Sequence, residues 1–230
     1  MSNILCIGAH PDDVELSMGG SIFRLKEAGH SVVLLDVTDG EPTPHGSIEI
    51  RAEESTKAAE LLEVKRITLD IKNRFIEETI ENRIKLAEVF REVKPDYIFT
   101  HYEYDVHPDH IAVNRLTDSA RFYSKLTKCS IKGEPFFPKK VIYYFPNHIK
   151  LNLEPSFCVD VSPFIEKKKQ ILECYESQFI KKGQGLMIRE AIESNRYFGM
   201  RIQTEYAEPF YMRDSIGILE VGSLFLKNKI

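Results

Sequence analysis

The sequence lacks the marks of several protein classes. Its four cysteines, Cys6, Cys129, Cys158 and Cys174, are widely spaced and include no CxxC pair, which argues against disulfides and against cysteine ligands for zinc. No apolar run approaches the roughly 18 residues of a membrane-spanning helix, and no basic-plus-apolar signal stands at the N-terminus. We therefore expect free thiols in a soluble protein of the reducing cytoplasm.

An excess of positive charge is also missing. The 31 Lys and Arg residues are outnumbered by 35 Asp and Glu residues, giving a formal net charge of −4. This balance does not favour nucleic acid or an anionic membrane as a partner, so we expect a small-molecule substrate. A length of 230 residues with 43% hydrophobic residues suits one domain with a full core.

Apolar runs of strand length alternate with amphipathic runs of helix length. This alternation predicts right-handed βαβ crossovers, and hence an α/β domain with a mainly parallel sheet and helices on both faces. No repeat or linker divides residues 1–230, which predicts a single domain. The predicted strands are 3–8, 31–38, 66–70, 96–100, 140–146 and 156–161, and the predicted helices are 17–29, 48–63, 78–93, 108–126, 163–176 and 186–199.

A histidine, a proline and two adjacent aspartates follow the first predicted strand, in "IGAHPDDVEL" at residues 7–16. In an open α/β sheet, ligands bind beyond the carboxyl ends of the strands. Adjacent carboxylates repel each other unless a cation or a proton compensates them. The stretch therefore predicts a metal site, although HPDD alone also fits a turn with a capping aspartate.

A second polar motif, "YEYDVHPDHIAV" at residues 102–113, also lies beyond a strand end. Pro108 suits the first position of a helix, where its missing N–H would be unpaired anyway. His107 and His110 are three residues apart and can then face one pocket. HPDH alone also fits a solvated helix cap, but both motifs are expected at the same edge of a parallel sheet.

Together the two motifs supply the ligands of a catalytic zinc site. Two imidazoles and one carboxylate that leave one coordination position open are typical of catalytic rather than structural zinc. We predict that His10, Asp13 and His110 bind one Zn²⁺ per chain, with other divalent ions as alternatives. Asp12 then remains free for proton transfer.

These residues carry a family resemblance. "AHPDDVELSMGG" together with "HPDH" resembles the LmbE/PIG-L family of zinc-dependent N-deacetylases, which act on molecules that contain N-acetylglucosamine. The likeness continues through "TDGEPTPHG", "IRAEESTKAAELL", "YESQF" and "YAEPF". The family includes the deacetylases of bacillithiol and mycothiol biosynthesis and archaeal chitin-disaccharide deacetylases. The resemblance implies a single-domain, Rossmann-like fold, an amino-sugar substrate and a homo-oligomer, often a hexamer.

The resemblance and the chemistry of amide hydrolysis assign further roles. Asp12 is expected to be the general base, and His107 to stabilise the oxyanion or protonate the leaving amine. Asp109 either fixes the tautomer of His107 or caps a helix. Arg51 is expected to bind the substrate, with a solvated helix charge as the alternative. Glu15 is expected to line the edge of the sugar pocket, with a carboxylate at the helix N-terminus as the alternative.

The remaining histidines and aromatic residues are not expected to be ligands. We expect His101 to satisfy hydrogen bonds at the end of a strand and His45 to lie on the surface, and His30 and His148 lie far from the motifs. Tyr175, Gln178, Phe179 and Tyr206 match family segments but are typical of packing. In one departure, Asp105 stands where some relatives place a tyrosine that assists the oxyanion, and it also fits a loop aspartate in water.

Other functions stay open at this point. An amidase could cleave a larger acyl group from an amino-sugar conjugate with the same residues. A nucleotide-binding module that holds Mg²⁺ would require a glycine-rich loop after the first strand, but Gly19 and Gly20 come too late for it. A non-catalytic metal-binding protein would not need Asp12.

Overall fold

A mixed sheet organises the chain. The computed structural model describes residues 1–148, 152–181 and 183–217. The strands in this part are β1 (Asn3–Gly8), β2 (Ser31–Asp36), β3 (Lys65–Thr68), β4 (Tyr97–His101), β5 (Lys140–Tyr144), β6 (Phe157–Asp160) and β7 (Ala207–Tyr211).

Six α-helices accompany these strands in the described residues. No described helix combines the length and the apolar character that a membrane span requires. A 3₁₀ turn (Ser162–Phe164) precedes α5, and a π-helical turn (Glu176–Ile180) follows it. The helices are α1 (Asp13–Glu27), α2 (Ile48–Leu62), α3 (Ile80–Val93), α4 (Pro108–Ser124), α5 (Ile165–Glu173) and α6 (Leu186–Arg201).

The strand order is β3-β2-β1-β4-β5-β7-β6, with β1 to β5 parallel and β7 antiparallel to both of its neighbours. The prediction of a Rossmann-like, mainly parallel sheet is confirmed. The order reverses between β1 and β4, which is the topological switch point where ligands bind in such folds. The two motifs of the sequence follow these two strands.

Strand β1 shows why the sheet is buried on both faces. Leu5 and Ile7 belong to a core that includes Phe90 of α3 and Leu116 of α4. Successive strand residues point to opposite faces, so Ile4 and Cys6 belong to a second core, with Met18 of α1 and Ile171 of α5. The strand is therefore an almost continuous apolar run, as expected for a buried parallel strand.

Two elements differ from the sequence prediction. The first helix begins at Asp13 rather than at residue 17, so the aspartates of HPDD form its start. Strand β7 was not predicted, and it contains Pro209, which cannot donate to a ladder. In the structure, β5 pairs only with residues 210 and 211 of β7, so Pro209 lies where β7 has no partner on that side.

A buried ion pair fastens β7 to the helices. Lys168 of α5 and Glu208 of β7 are both 0% exposed, with Nζ 2.6 Å from Oε1. Glu208 also accepts hydrogen bonds from the backbone N–H groups of Gly20 and Ser21, and Asn195 accepts one from Lys168. Both charges thus have hydrogen-bond partners besides each other, which offsets the cost of burying them.

We expect Lys168→Met to lower the free energy of unfolding by about 3–5 kcal/mol, because it leaves Glu208 buried without its cation. Lys169→Met is the matched control, since the neighbouring Lys169 pairs with Glu166 at the surface. The control should cost less than about 1 kcal/mol. Urea denaturation of both variants measures the difference, and equal losses would contradict this account of the pair.

Candidate active site

The HPDD motif forms a tight turn between β1 and α1. The backbone N–H of His10 donates to Asp13 Oδ2 at 2.8 Å, and the N–H of Asp13 donates to the carbonyl of His10 at 3.3 Å. Asp12 precedes the helix with φ of 112°, a conformation that non-glycine residues rarely adopt. Strain of this kind persists where the surrounding structure fixes it, and it concentrates at functional sites.

The HPDH motif forms the start of α4, as predicted. His107 caps the helix, because its Nδ1 accepts the backbone N–H of Asp109 at 3.2 Å, and Pro108 occupies the first turn. With Nδ1 used as an acceptor, the neutral ring carries its proton on Nε2. Burial and the neighbouring His110 lower the pKa of His107 to about 4, so the ring is neutral near pH 7.

The three proposed metal ligands converge. Asp13 Oδ2 lies 3.3 Å from His10 Nδ1, and Asp13 Oδ1 lies 3.2 Å from His110 Nε2. His110 Nε2 is buried without a hydrogen-bond partner in the described residues. A buried imidazole nitrogen that faces a carboxylate without hydrogen-bonding to it fits a metal ligand. The donor set therefore fits a divalent ion that accepts nitrogen and oxygen ligands.

The outward nitrogens of both imidazoles contact further carboxylates. Asp105 Oδ2 lies 2.6 Å from His110 Nδ1, and Asp109 Oδ2 lies 3.2 Å from His10 Nε2. Metal-binding histidines usually make such a bond, which orients the ring and raises its basicity. The interpretation of Asp105 as a loop aspartate in water is wrong, because its side chain is 1% exposed. The carboxylate of Asp109 contacts His10, and only its backbone N–H contacts His107.

The pKa values indicate an excess of buried negative charge. Burial lowers the pKa of His10, but Asp109 and Asp13 outweigh burial and raise it to about 10. Burial also lowers the pKa of His110, but Asp13 and Asp105 raise it to about 9. The site therefore attracts positive charge, and a metal ion competes with protons for such ligands.

His101 offers an alternative donor set, because Asp13, His101 and His110 also bring ligand atoms within 4.8 Å of one another. His10, His107 and His110 form the other set whose ligand atoms lie this close together, and Asp13 is shared between the neighbourhoods of His10 and His110. In the set with His101, Nε2 of His101 accepts the backbone N–H of Ala9 at 2.9 Å, so its lone pair is already used. This bond confirms that His101 satisfies hydrogen bonds at a strand end. Burial and His110 lower its pKa to about 4. We therefore favour the set with His10.

Arg51 contacts the turn that carries Asp12. Its Nη1 lies 3.1 Å from Asp12 Oδ2, and its Nη2 donates to the carbonyl of Pro11. Arg51 is 2% exposed, so the interpretation as a solvated helix charge is wrong. Gly40, with φ of +79°, lets the loop after β2 close over Arg51, since a Cβ there would lie 3.0 Å from Nη2. Burial raises the pKa of Asp12, and Arg51 opposes this.

Glu15 lies below the site. It is 0% exposed, and its Oε1 accepts from Arg66 Nη1 at 2.6 Å and from the Tyr175 hydroxyl at 2.5 Å. Arg66 in turn binds Asp36 through two nitrogens, at 2.5 and 2.7 Å. The structure thus places Glu15 in a buried ion-pair network rather than in a substrate pocket, whereas Tyr175 packs in the core as expected.

A cavity of about 200 Å³ opens over the site. His148 lines this cavity, with its ring centroid 5.3 Å from that of His110. The expectation that His148 lies away from the site, based on its distance in sequence from the motifs, is therefore wrong. Gln178 and Phe179 line the cavity as well, although the sequence suggested packing alone. Arg74 spans the rim, since its backbone N–H donates to Asp109 and its Nη2 to the carbonyl of Pro42.

A larger cavity of about 620 Å³ lies on the other side of Arg51, between α2 and β3. Its lining is mainly apolar and includes none of the motif histidines or Asp12. Chemistry at the donor set therefore requires the smaller cavity, whose lining includes His10, Asp12, Asp13 and His107.

These features define the class of protein: a doubly wound α/β domain with a candidate divalent-metal site at its topological switch point. The PIG-L family, described as GlcNAc-PI de-N-acetylase, matches residues 5–121. The chain belongs to this family of deacetylases.

Similar proteins extend this relation. The diacetylchitobiose deacetylase of Thermococcus kodakarensis is 31% identical over 78% of this chain and 71% of its own length. A conserved protein of Thermus thermophilus superposes with a TM-score of 0.88 and 33% identity, covering 96% of this chain and 99% of that one. The 4-carboxy-2-hydroxymuconate hydratase of Pseudomonas putida, at 19% identity and a TM-score of 0.83, shares the fold over 96% of this chain and its entire own length.

We expect the purified protein to bind about one Zn²⁺ per chain, and His10→Ala to lose most of it, because removing one of three ligands opens the site. His101→Gln is the control, since the amide oxygen can still accept the N–H of Ala9 and no proposed ligand is removed. Elemental analysis after dialysis measures the metal content. A metal-free His101→Gln beside a loaded His10→Ala would assign the ion to the other donor set.

Proposed function

We propose that this protein is a zinc-dependent N-deacetylase that hydrolyses the acetamide of a small molecule containing N-acetylglucosamine. One observation carries the proposal. Asp12 is not one of the favoured metal ligands, but it is the neighbour of the proposed ligand Asp13 and lines the same cavity as His10 and Asp13. Family membership and the relation to a diacetylchitobiose deacetylase support the substrate class. A cavity of about 200 Å³ favours a small acyl group over a larger one.

The residues of the chain divide the reaction between them. A divalent ion, when bound by His10, Asp13 and His110, would act as a Lewis acid and lower the pKa of water to about 7. Asp12 accepts a proton from the attacking water, whose oxygen bonds to the acetyl carbon. The C–N bond then breaks, the departing nitrogen takes up the proton that Asp12 accepted from water, and the products are acetate and the free amine.

His107 is the proposed hydrogen-bond donor to the oxyanion, whereas protonation of the leaving amine would turn the neutral ring into an imidazolate and is therefore not assigned to it. Its Nδ1 is occupied by the Asp109 N–H, which leaves Nε2–H as the donor of a ring that lines the cavity. The backbone hydrogen bond thus sets the tautomer, a role that the sequence suggested for the Asp109 carboxylate. Asp109 instead supports His10.

Arg51 is proposed to position Asp12, because both terminal nitrogens of its guanidinium contact residues of the HPDD turn. We expect Arg51→Lys to lower kcat by about tenfold or more with little change in KM, since lysine keeps the charge but cannot hold two acceptors in a fixed fork. Steady-state kinetics on N-acetylglucosamine derivatives measures the split. A raised KM with unchanged kcat would instead support the substrate-gripping role suggested by the sequence.

Asp12→Asn and Asp13→Asn test the division of roles within one dipeptide. We expect Asp12→Asn to lower deacetylation by about 10²–10⁴-fold with zinc content near wild type, because the amide cannot accept a proton. Asp13→Asn removes an anionic ligand, so zinc affinity should fall first and activity should partly return at high zinc. Amine release and metal content are measured for both, and full turnover by Asp12→Asn would refute the proposed base.

A further inference from the structure

Gln178 lies on an unusual element beside the candidate active site. The π-helical turn Glu176–Ile180 carries it, and such turns are rare and occur frequently at functional sites. The half-buried side chain of Gln178 lines the active-site cavity together with Asp12 and Thr43. Its amide is hydrogen-bonded on two sides, which gives the residue more than a packing role.

Hydrogen bonds fix the orientation of the Gln178 amide. Its Nε2 donates to Thr43 Oγ1 at 3.1 Å and to Ser177 Oγ at 2.9 Å. A hydroxyl has a single proton, and Thr43 gives its proton to Glu41 Oε1 at 2.6 Å. Ser177 likewise donates to Glu54 Oε2 at 2.7 Å. Both hydroxyl oxygens can therefore only accept from Gln178, and only the NH₂ end of an amide donates.

The other end of this amide remains a free acceptor. The two hydroxyls take up the NH₂ group, and among the described residues no donor contacts Oε1 of Gln178. Because the side chain lines the cavity, an uncharged carbonyl oxygen is available where a substrate binds. A ligand that covers this oxygen without donating to it leaves a polar atom buried and unpaired, which weakens binding. Gln178 therefore favours a ligand that presents an N–H or an O–H to it.

Gln178 lies on the side of the proposed base. Its neighbour Ser177 is held by Glu54, and the Glu54 carboxylate lies 3.9 Å from Arg51 Nη1. The same nitrogen of Arg51 lies 3.1 Å from Asp12 Oδ2. In the proposed reaction the departing nitrogen takes its proton from Asp12 and must approach it. The N–H that this nitrogen already carries is then a donor close to the wall that Gln178 forms.

We propose that Oε1 of Gln178 accepts the N–H of the substrate's acetamide and so positions the scissile C–N bond. This inference rests on the proposed function for the identity of the reacting group. A carboxylate could accept the same hydrogen bond, but its charge would add to the repulsion between Asp12 and Asp13, whereas an amide adds no charge. The hydrogen bond also holds the nitrogen in place while it takes up the proton from Asp12.

Binding to the zinc-loaded Asp12→Asn variant tests this contact without turnover. The two ligands are N-acetylglucosamine and its 2-acetonyl analogue, a ketone in which CH₂ replaces the N–H. We expect calorimetry to give a Kd about tenfold lower for the acetamide, because the ketone leaves Oε1 unpaired. Adding Gln178→Met should reduce this ratio about fivefold or more, since methionine lacks the acceptor, while other differences between the ligands cancel between the two backgrounds.

Two further variants separate the contact from a structural role of the side chain. Gln178→Lys can still donate to Thr43 and Ser177 but has no acceptor, so it should lose the ratio as Gln178→Met does. Gln170→Met, at an exposed position of α5, is the matched control and should keep the ratio. Zinc content should stay near that of the parent variant throughout, because no proposed ligand is changed.

The outcomes separate this proposal from the proposed function. Equal or undetectable binding of both ligands, or a ratio that Gln178→Met or Gln178→Lys preserves, would overturn the contact. If the Gln178 variants instead lose discrimination against the 3-deoxy analogue of N-acetylglucosamine, Oε1 accepts a ring hydroxyl and the contact with the acetamide is refuted. If the acetamide ratio changes as expected but the wild-type protein releases no amine, the contact stands and the deacetylase proposal fails.

Discussion

Negative charge buried at the carboxyl ends of β1 and β4 is the constraint on which the rest of the site depends. Asp13 lies within 3.4 Å of three imidazoles, those of His10, His101 and His110. Two further carboxylates, Asp105 and Asp109, contact the outer nitrogens of His110 and His10. Carboxylates this close are stable only with compensating positive charge. Without a metal the rings take up protons, as the raised pKa values of His10 and His110 indicate. The same groups can exchange those protons for a divalent ion.

Two arginines pair with the other buried carboxylates near the proposed metal ligands. Arg66 pairs with Glu15 and Asp36 beneath the turn, so these carboxylates are neutralised within the core. Arg51 pairs with Asp12, the carboxylate outside the proposed donor set, so the charge of Asp12 is balanced by a guanidinium and not by the imidazoles around Asp13. Adjacent aspartates thereby acquire different surroundings, one facing imidazoles and the other a guanidinium. Different environments for neighbouring carboxylates are what an active site requires when one is a ligand and the other a base.

The mainly parallel sheet and the edge that carries the candidate site could be predicted from the sequence, because both motifs follow strands whose carboxyl ends meet at one edge. The surroundings of Glu15 could not be predicted in this way. The predicted helix began at residue 17, so nothing fixed the direction of Glu15. With the helix beginning at Asp13, a residue two positions later lies about 200° around the axis and cannot face the same pocket.

Other residues required the tertiary structure. His148 follows β5, the neighbour of β4, so the strand-end rule applied to one more strand would have found it. Asp105 and Arg74 lie in loops whose course no periodicity reveals, although both contact the site. Arg51 matched a family segment, but only the closure of the loop at Gly40 shows that it contacts Asp12 and Pro11 rather than water.

The fold alone does not determine the reaction, since a hydratase shares it at a TM-score of 0.83. Hydration and amide hydrolysis both begin by activating water, for which the proposed base Asp12 and a divalent ion would suffice. Amide hydrolysis has an additional requirement, because a free amide anion is a poor leaving group and its nitrogen needs a proton. In the proposed reaction Asp12 passes the proton taken from water to this nitrogen, while His107 donates to the oxyanion: the start of α4 occupies its Nδ1 and leaves Nε2–H as the donor of a ring that lines the cavity. The proposed deacetylation would therefore depend on the backbone of the HPDH turn as well as on the carboxylates of HPDD.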